Sequence, residues 1–383
     1  MKNKIVNINN MAIYWRLKDD YADIHSNIIT NKTLKFYYDD KLLLIRQEID
    51  EKLKLTLEYI YKEEFNVGYL QDEHTFSNSY GKDLMSFIEA TLSNYKNIKT
   101  ILEIGCGGCY VLGTLNNVGY EVIGVDPSPI AVKAGKDKKL TVINDFYPTK
   151  KYSKKVDCIF HSDVLEHIDT PINFLKEQYE GLNNEGILII SVPDCTESIK
   201  IGDVSMALHQ HINYFTINSL KNIVERAGFE VLDIRKAGYG GSLYCSAMKK
   251  EKLLLVNEKL DLESNLFFEK ANRNILKFQH IIDNLLLQHK SIGFYMPLRA
   301  IPYIFTLTDT IKFRFFDDTK HWHNKYFDGV NIPIENFQDL EQHPVDVIFI
   351  MSLTFDHVII EKISKSSINN IEMITLRDIL DAK

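Results

Sequence analysis

Apolar residues in this chain fall into two patterns. Short, mostly apolar runs occur at 101–104, 121–125, 156–160 and 187–192, each entered or left through Gly, Asn, Asp or Pro. Runs of that length and continuity predict strands buried on both faces, as in a parallel sheet covered by helices. Between them lie helical spacings, at 81–92 before the first strand and at 217–227 after the fourth. A further pair of runs, 229–234 and 242–247, predicts two strands that close the sheet as a hairpin. The segment KLKLTLEY at 52–59 alternates strictly, which predicts a half-buried strand. From 251 to 290 the apolar positions (Leu253, Leu254, Leu260, Leu262, Leu266, Phe267) keep helical spacing with no internal Pro or Gly, predicting one or two long helices. Strands at 291–295 and 345–351 then predict a second, smaller α/β domain.

The 101–126 stretch, ILEIGCGGCYVLGTLNNVGYEVIGVD, carries the most chemistry. A strand empties into Gly105-Cys106-Gly107-Gly108, and a second strand stops at Asp126. Glycines let a backbone pass close beneath a ligand, and a carboxylate at the tip of the second strand can accept both hydroxyls of a ribose. The pattern predicts a nucleoside-containing cofactor. A dinucleotide site wants a third glycine where Tyr110 stands, and Glu103 would repel a pyrophosphate. Beside a cationic cofactor, the same acid is favourable.

These residues, taken with those downstream, resemble class I S-adenosylmethionine-dependent methyltransferases. Glu103, Gly105 and Gly107 match the first motif of that family, and Asp126-Pro127 its ribose-binding step. Asn144-Asp145-Phe146 resembles the adenine site, with Asp145 on the amino group and Phe146 over the ring. The run Ser162-Asp163-Val164-Leu165-Glu166-His167 resembles the D-x-V-L-E-H motif, which implies that Ser162, Val164 and His167 also border the cofactor. The resemblance implies S-adenosyl-L-methionine as cofactor and a Rossmann-like sheet. Three parts are expected: an N-terminal domain at 1–98, a cofactor domain at 99–250, and a helical bridge with a smaller C-terminal Rossmann-like domain at 251–383.

Within that class the chain resembles the sugar C-methyltransferases, which act on nucleotide-linked 4-keto-6-deoxysugars. The loop His209-Gln210-His211-Ile212-Asn213-Tyr214-Phe215 is similar to their H-E-H-x-x-Y-F segment, and Gly240-Gly241-Ser242-Leu243 to their G-G-S-L element. The resemblance implies His211 as the base that forms an enolate, with His209 and Tyr214 holding the substrate. Tyr80 matches an aromatic residue that closes over the cofactor. The chain departs from that family in three places. Gln210 replaces a Glu, Tyr295-Met296-Pro297 replaces a glycine-rich turn, and no cysteine precedes Cys106. The family's N-terminal zinc module therefore lacks its thiolates, and no metal is expected. Gln210 leaves an O- or N-methyltransferase acting on a sugar or another small metabolite as the alternative. A non-catalytic protein that binds the cofactor and a partner is the other reading.

Composition adds exclusions. At 383 residues the chain exceeds one core, and its net charge of −7 argues against a general nucleic-acid binder. The expected partner is a nucleotide-sugar, with neither nucleic acid nor membrane. No apolar run approaches the ~20 residues of a membrane span, and the first ten residues are too polar for a signal peptide. Five cysteines fit buried, reduced thiols, so a cytoplasmic protein is expected. The Cys106/Cys109 pair is read as part of the cofactor turn rather than as a redox couple.

Overall fold

The computed structural model describes residues 5–14, 16–23, 26–63, 75–250, 262–307 and 312–380. The chain divides into two compact units, Asp39–Thr196 with Gln210–Asp261, and Met1–Tyr38 with Glu197–His209 and Leu262–Lys383. The expected N-terminal segment, 1–98, is thus shared between the units, and the short stretch at 197–209 leaves the unit that surrounds it.

The first unit is built on seven strands, β1 (Thr100–Ile104), β2 (Glu121–Val125), β3 (Val142–Ile143), β4 (Val156–Ser162), β5 (Leu182–Pro193), β6 (Phe229–Lys236) and β7 (Ser242–Lys249). Their order across the sheet is β3-β2-β1-β4-β5-β7-β6. The first five run parallel, and β7 is antiparallel to both neighbours, with Tyr244 opposite Ser191. This is the α/β class I methyltransferase arrangement, in which the last two strands close the sheet as a hairpin. Alternate residues supply opposite faces. Leu102, Ile104, Leu188 and Ile190 pack with the helices α5 (Pro171–Gly181) and α6 (Ile217–Arg226). Ile101, Phe160 and Ile189 pack with α2 (Thr75–Leu92) and α3 (Tyr110–Asn117). Between β2 and β3 runs α4 (Pro129–Lys138), capped by Ser128 Oγ, which accepts the Ile130 N–H at 3.2 Å.

Two sequence expectations are corrected here. KLKLTLEY is not a strand but part of the helix α1 (Glu51–Glu63). Leu53, Leu57 and Ile60 lie on one helical face and are buried, whereas Leu55 is 58% exposed. Asp50 starts the helix by accepting the Leu53 N–H at 2.9 Å. The Asn183-Asn184-Glu185-Gly186 turn lies inside β5 as a bend, with Glu185 at φ +58° and a register shift against β4.

The second unit contains the helix α7 (Leu262–Leu287) and five strands, β8 (Ile292–Tyr295), β9 (Arg314–Phe316), β10 (Ile334–Glu335), β11 (Val347–Ile350) and β12 (Glu372–Thr375). They form an all-parallel sheet in the order β10-β9-β8-β11-β12. Phe294 stacks on Phe349 with ring centroids 5.1 Å apart, which anchors the centre of this smaller α/β core. Ile5–Ala12 pairs antiparallel with Asn31–Asp39 in the same unit. The long helix expected from 251 is present from Leu262; Leu253, Leu254 and Leu260 lie outside the described residues. Among the described residues no helix is long and apolar enough to cross a membrane.

Candidate active site

The carboxyl ends of β1, β2 and β4 come together around the glycine turn. Gly105 and Gly107 adopt φ of +72° and +45°, a region glycine enters without strain. A Cβ on Gly105 would stand 2.7 Å from Val164 Cγ2, so this turn and the loop after β4 leave room only for hydrogen. Asp126, at the end of β2, ties the turn down. Its Oδ2 accepts the Gly107 N–H at 2.9 Å and its Oδ1 the Ser128 N–H at 2.7 Å. Burial raises the Asp126 pKa, and these two bonds oppose the rise.

Glu103 lies one residue before the turn and is 5% exposed, with its pKa pushed well up by burial and by nearby Cys109 and Asp126. Its Oε2 has no hydrogen-bond partner among the described residues. A buried carboxylate oxygen left open beside a glycine cradle suits a ligand carrying a positive charge and hydrogen-bond donors. The third acid, Asp145, is on the far side of Asp126. Thr149 Oγ1 donates to it at 2.8 Å and lowers its pKa, as do the Phe146 N–H and Lys151. Asn144 Nδ2 donates to the Asp126 and Pro127 carbonyls, holding the two strand tips together. Phe146 is half-buried beneath Lys62 Nζ, 5.1 Å from the ring centre.

After β4 the chain turns at Asp163, in the left-handed region at φ +54°. Its pKa is raised to about 6 by burial. Tyr80 Oη reaches this corner and sits 2.9 Å from Ser191 Oγ, 3.1 Å from Ser242 Oγ, 3.3 Å from Ser162 Oγ and 3.3 Å from Asp163 Oδ2. One phenol thus joins the ends of β4, β5 and β7.

The next residues form a second cluster. Glu166 is 1% exposed, and neither of its carboxylate oxygens has a hydrogen-bond partner among the described residues. The carbonyl of Gln210 lies 2.7 Å from His167 Nδ1, so that nitrogen carries the proton and donates. Tyr61 Oη is 3.1 Å from the same nitrogen. Burial lowers the His167 pKa to about 4, opposed by backbone hydrogen bonds to Gln210 and Asp163, and Nε2 lies 3.7 Å from Glu166 Oε1. The His211 ring is 5.1 Å from that of His167, centre to centre. The loop that carries His211 is fastened to this turn: the Ile212 N–H donates to the Glu166 carbonyl at 2.7 Å, and Asn213 Nδ2 to the carbonyls of Leu165 and Ile168.

The expected loop residues therefore part company. His211 and Tyr214 are near one another, with centroids 6.5 Å apart, but Tyr214 is fully buried in a short strand against Ile45. His209 belongs to the other compact unit, where its ring is buried with Nε2 3.2 Å from the Met11 carbonyl and its pKa is lowered to about 4. Tyr61, Glu166, Ser191 and Ser242 were not singled out from sequence as site residues. Glu166 stood within the quoted D-x-V-L-E-H match, and Tyr61 lies two residues beyond the segment misread as a strand.

Residues 74–234 match a family model described as a methyltransferase domain. This stretch is a class I methyltransferase domain. The cofactor of such a domain is S-adenosyl-L-methionine, and the open Glu103 oxygen and the glycine cradle fit that cationic nucleoside. A tRNA U34 carboxymethyltransferase of Aliarcobacter butzleri is 31% identical over 153 residues, 36% of this chain and 49% of that protein. The mitochondrial ubiquinone biosynthesis O-methyltransferase of Schizosaccharomyces pombe is 24% identical over 160 residues, 37% of this chain and 58% of that protein. The chain thus spans about half the length of these curated relatives. Among solved structures, the N-methyltransferase NodS of Bradyrhizobium japonicum aligns at TM-score 0.40 and 13% identity, over 52% of this chain and 99% of that one.

Proposed function

We propose that this protein moves a methyl group from S-adenosyl-L-methionine to a nucleotide-linked keto-deoxysugar, at carbon. The observation that carries the reading is the pairing of a cofactor cradle with an imidazole cluster on a fastened loop of the same unit. The cofactor supplies an electrophilic methyl on a sulfonium. Glu103 faces its ammonium, Asp126 takes the ribose hydroxyls, Asp145 and Phe146 bind the adenine, and the backbone around Ser162 and Val164 lines the floor. A carbonyl acidifies the neighbouring C–H, and His211 removes that proton. His211 suits the task better than His167, whose low pKa makes it a weak base. His167 orients the loop through Gln210. In this reading the cofactor domain is 99–250, preceded by a segment at 1–98 and followed by one at 251–383.

Transfer to oxygen is the second reading. Gln210, a neutral amide where the sugar C-methyltransferases carry Glu, favours it, and an O-methyltransferase is among the relatives. The name of another relative points to tRNA, but the net charge of −7 favours a small acceptor here. A screen of nucleotide-sugars for a one-methyl mass gain tests the proposal directly. Solvent deuterium uptake by the keto-sugar without cofactor is expected only for carbon transfer, and a gain of mass without such exchange moves the assignment to oxygen.

A further inference from the structure

The Glu166, His167 and His211 cluster has a feature that a simple base does not need. Three side chains converge with their ligand atoms all within 4.8 Å of one another. Two of them are acceptors facing acceptors. Glu166 is 1% exposed with both oxygens unpartnered among the described residues, and His167 Nε2 lies 3.7 Å from its Oε1. Buried acceptors crowded together without a donor are costly unless a proton or a cation lies between them. A proton joins only two of these groups, whereas a cation can be shared by all three, and His167 is held ready for one. Its Nδ1–H is spent on the Gln210 carbonyl, with Tyr61 Oη alongside, which fixes the tautomer and presents Nε2 to the cluster. That backbone-anchored arrangement is how metal-ligating histidines are held.

We propose that Glu166, His167 Nε2 and His211 bind a divalent first-row transition ion. Two imidazoles and one carboxylate form a nitrogen–oxygen set suited to zinc, cobalt or manganese and leave open positions for oxygens of the methyl acceptor. Bonds of ~2.1 Å require ligand atoms roughly 3–4 Å apart, so the three groups need to close by only about 1 Å. The site is prepared for that closure. The loop of His211 is tied to the turn of Glu166 by the Ile212 N–H and by the Asn213 side-chain amide, both donating to backbone carbonyls and independent of any ion. The ion would be distinct from the thiolate-bound zinc whose cysteines this chain lacks. The binding stands apart from the proposed methyl transfer; only its purpose, gripping the acceptor, rests on that reading. With an ion present, His211 serves as ligand in place of free base.

The test is calorimetric titration of the full, chelator-treated chain with Zn2+, and with Co2+ as an absorbing probe. One equivalent should bind, with visible cobalt bands of a nitrogen–oxygen site. Glu166→Gln and His211→Asn should each weaken binding by roughly 100-fold or more while leaving the far-ultraviolet circular dichroism unchanged. A chain that takes up no ion at tenfold excess overturns the proposal. So does uptake that persists at full affinity in the Glu166→Gln/His211→Asn double variant. If either result is found while a nucleotide-sugar still gains a methyl group, the metal inference falls and the proposed function stands. If the ion binds and no nucleotide-sugar is methylated, the reverse holds.

Discussion

Tyr80→Phe removes a single oxygen, and the structure allows its effect to be worked out. The lost hydroxyl contacts Ser191 on β5 and Ser242 on β7, and Ser162 and Asp163 at the corner after β4. A phenol has one hydrogen and two lone pairs, so about three of these four contacts are satisfied at once. Neutral hydrogen bonds contribute roughly 0.5–1.5 kcal/mol each, and one to a charged partner about 1.5–3. Ser191 is fully buried and Ser242 nearly so, which leaves them little access to replacement water. The sum is a loss of about 2–4 kcal/mol in the stability of the unit that holds the methyltransferase domain. For a unit of roughly 200 residues this is a fall of about 5–12 °C in Tm. Scanning calorimetry on Tyr80→Phe, Ser191→Ala and the double variant would measure it, and the cycle should return a coupling above about 0.5 kcal/mol. A single variant within 0.5 kcal/mol of wild type, with no coupling, would show that the hub carries no stability and refute the reasoning.

Other outcomes follow from the same geometry. Asp126→Ala frees the Gly107 and Ser128 N–H groups and removes the ribose acceptor; cofactor affinity measured by calorimetry should fall about ten- to hundredfold, and an unchanged value would remove Asp126 from the ribose site. Asp163 has a folded pKa of about 6, above its ordinary 3.8, so the folded state binds the proton more tightly. Its stabilising contribution is complete below about pH 4 and is lost as pH rises through 6. Asp163→Asn, which tolerates the left-handed backbone, should therefore flatten the fall in Tm between pH 4 and 6 relative to wild type. His211→Asn should reduce turnover by ~100-fold or more while cofactor affinity stays within a factor of about two. Equal turnover in that variant would exclude His211 from the reaction.

Much of the sheet was legible because its central strands are buried on both faces. Ile101 to Ile104 and Ile187 to Val192 are apolar but for Glu103 and Ser191, and all are buried. The glycine turn and Asp126 were legible because backbone strain and strand tips restrict residue type. KLKLTLEY failed because Leu53, Leu55 and Leu57 satisfy a period of two while Leu53, Leu57 and Ile60 satisfy 3.6, and packing chose the second. His209 and His211 are neighbours in sequence, yet nothing local says that the chain changes compact unit between them. The Tyr80 hub was out of reach for another reason. Its partners are 82, 111 and 162 positions away, and only the sheet order brings them to one corner. Glu166 reads as one more helix-turn acid until its burial is known.

The account depends on Glu103 being the open carboxylate that meets the charged amino-acid end of the cofactor. Calorimetric titration of wild type and Glu103→Gln with S-adenosylhomocysteine and with methylthioadenosine, which lacks that end, isolates the contact. The predicted result is a loss of about tenfold or more for S-adenosylhomocysteine and near-equal affinity of the two proteins for methylthioadenosine. Equal losses for both ligands, or none for either, would contradict it.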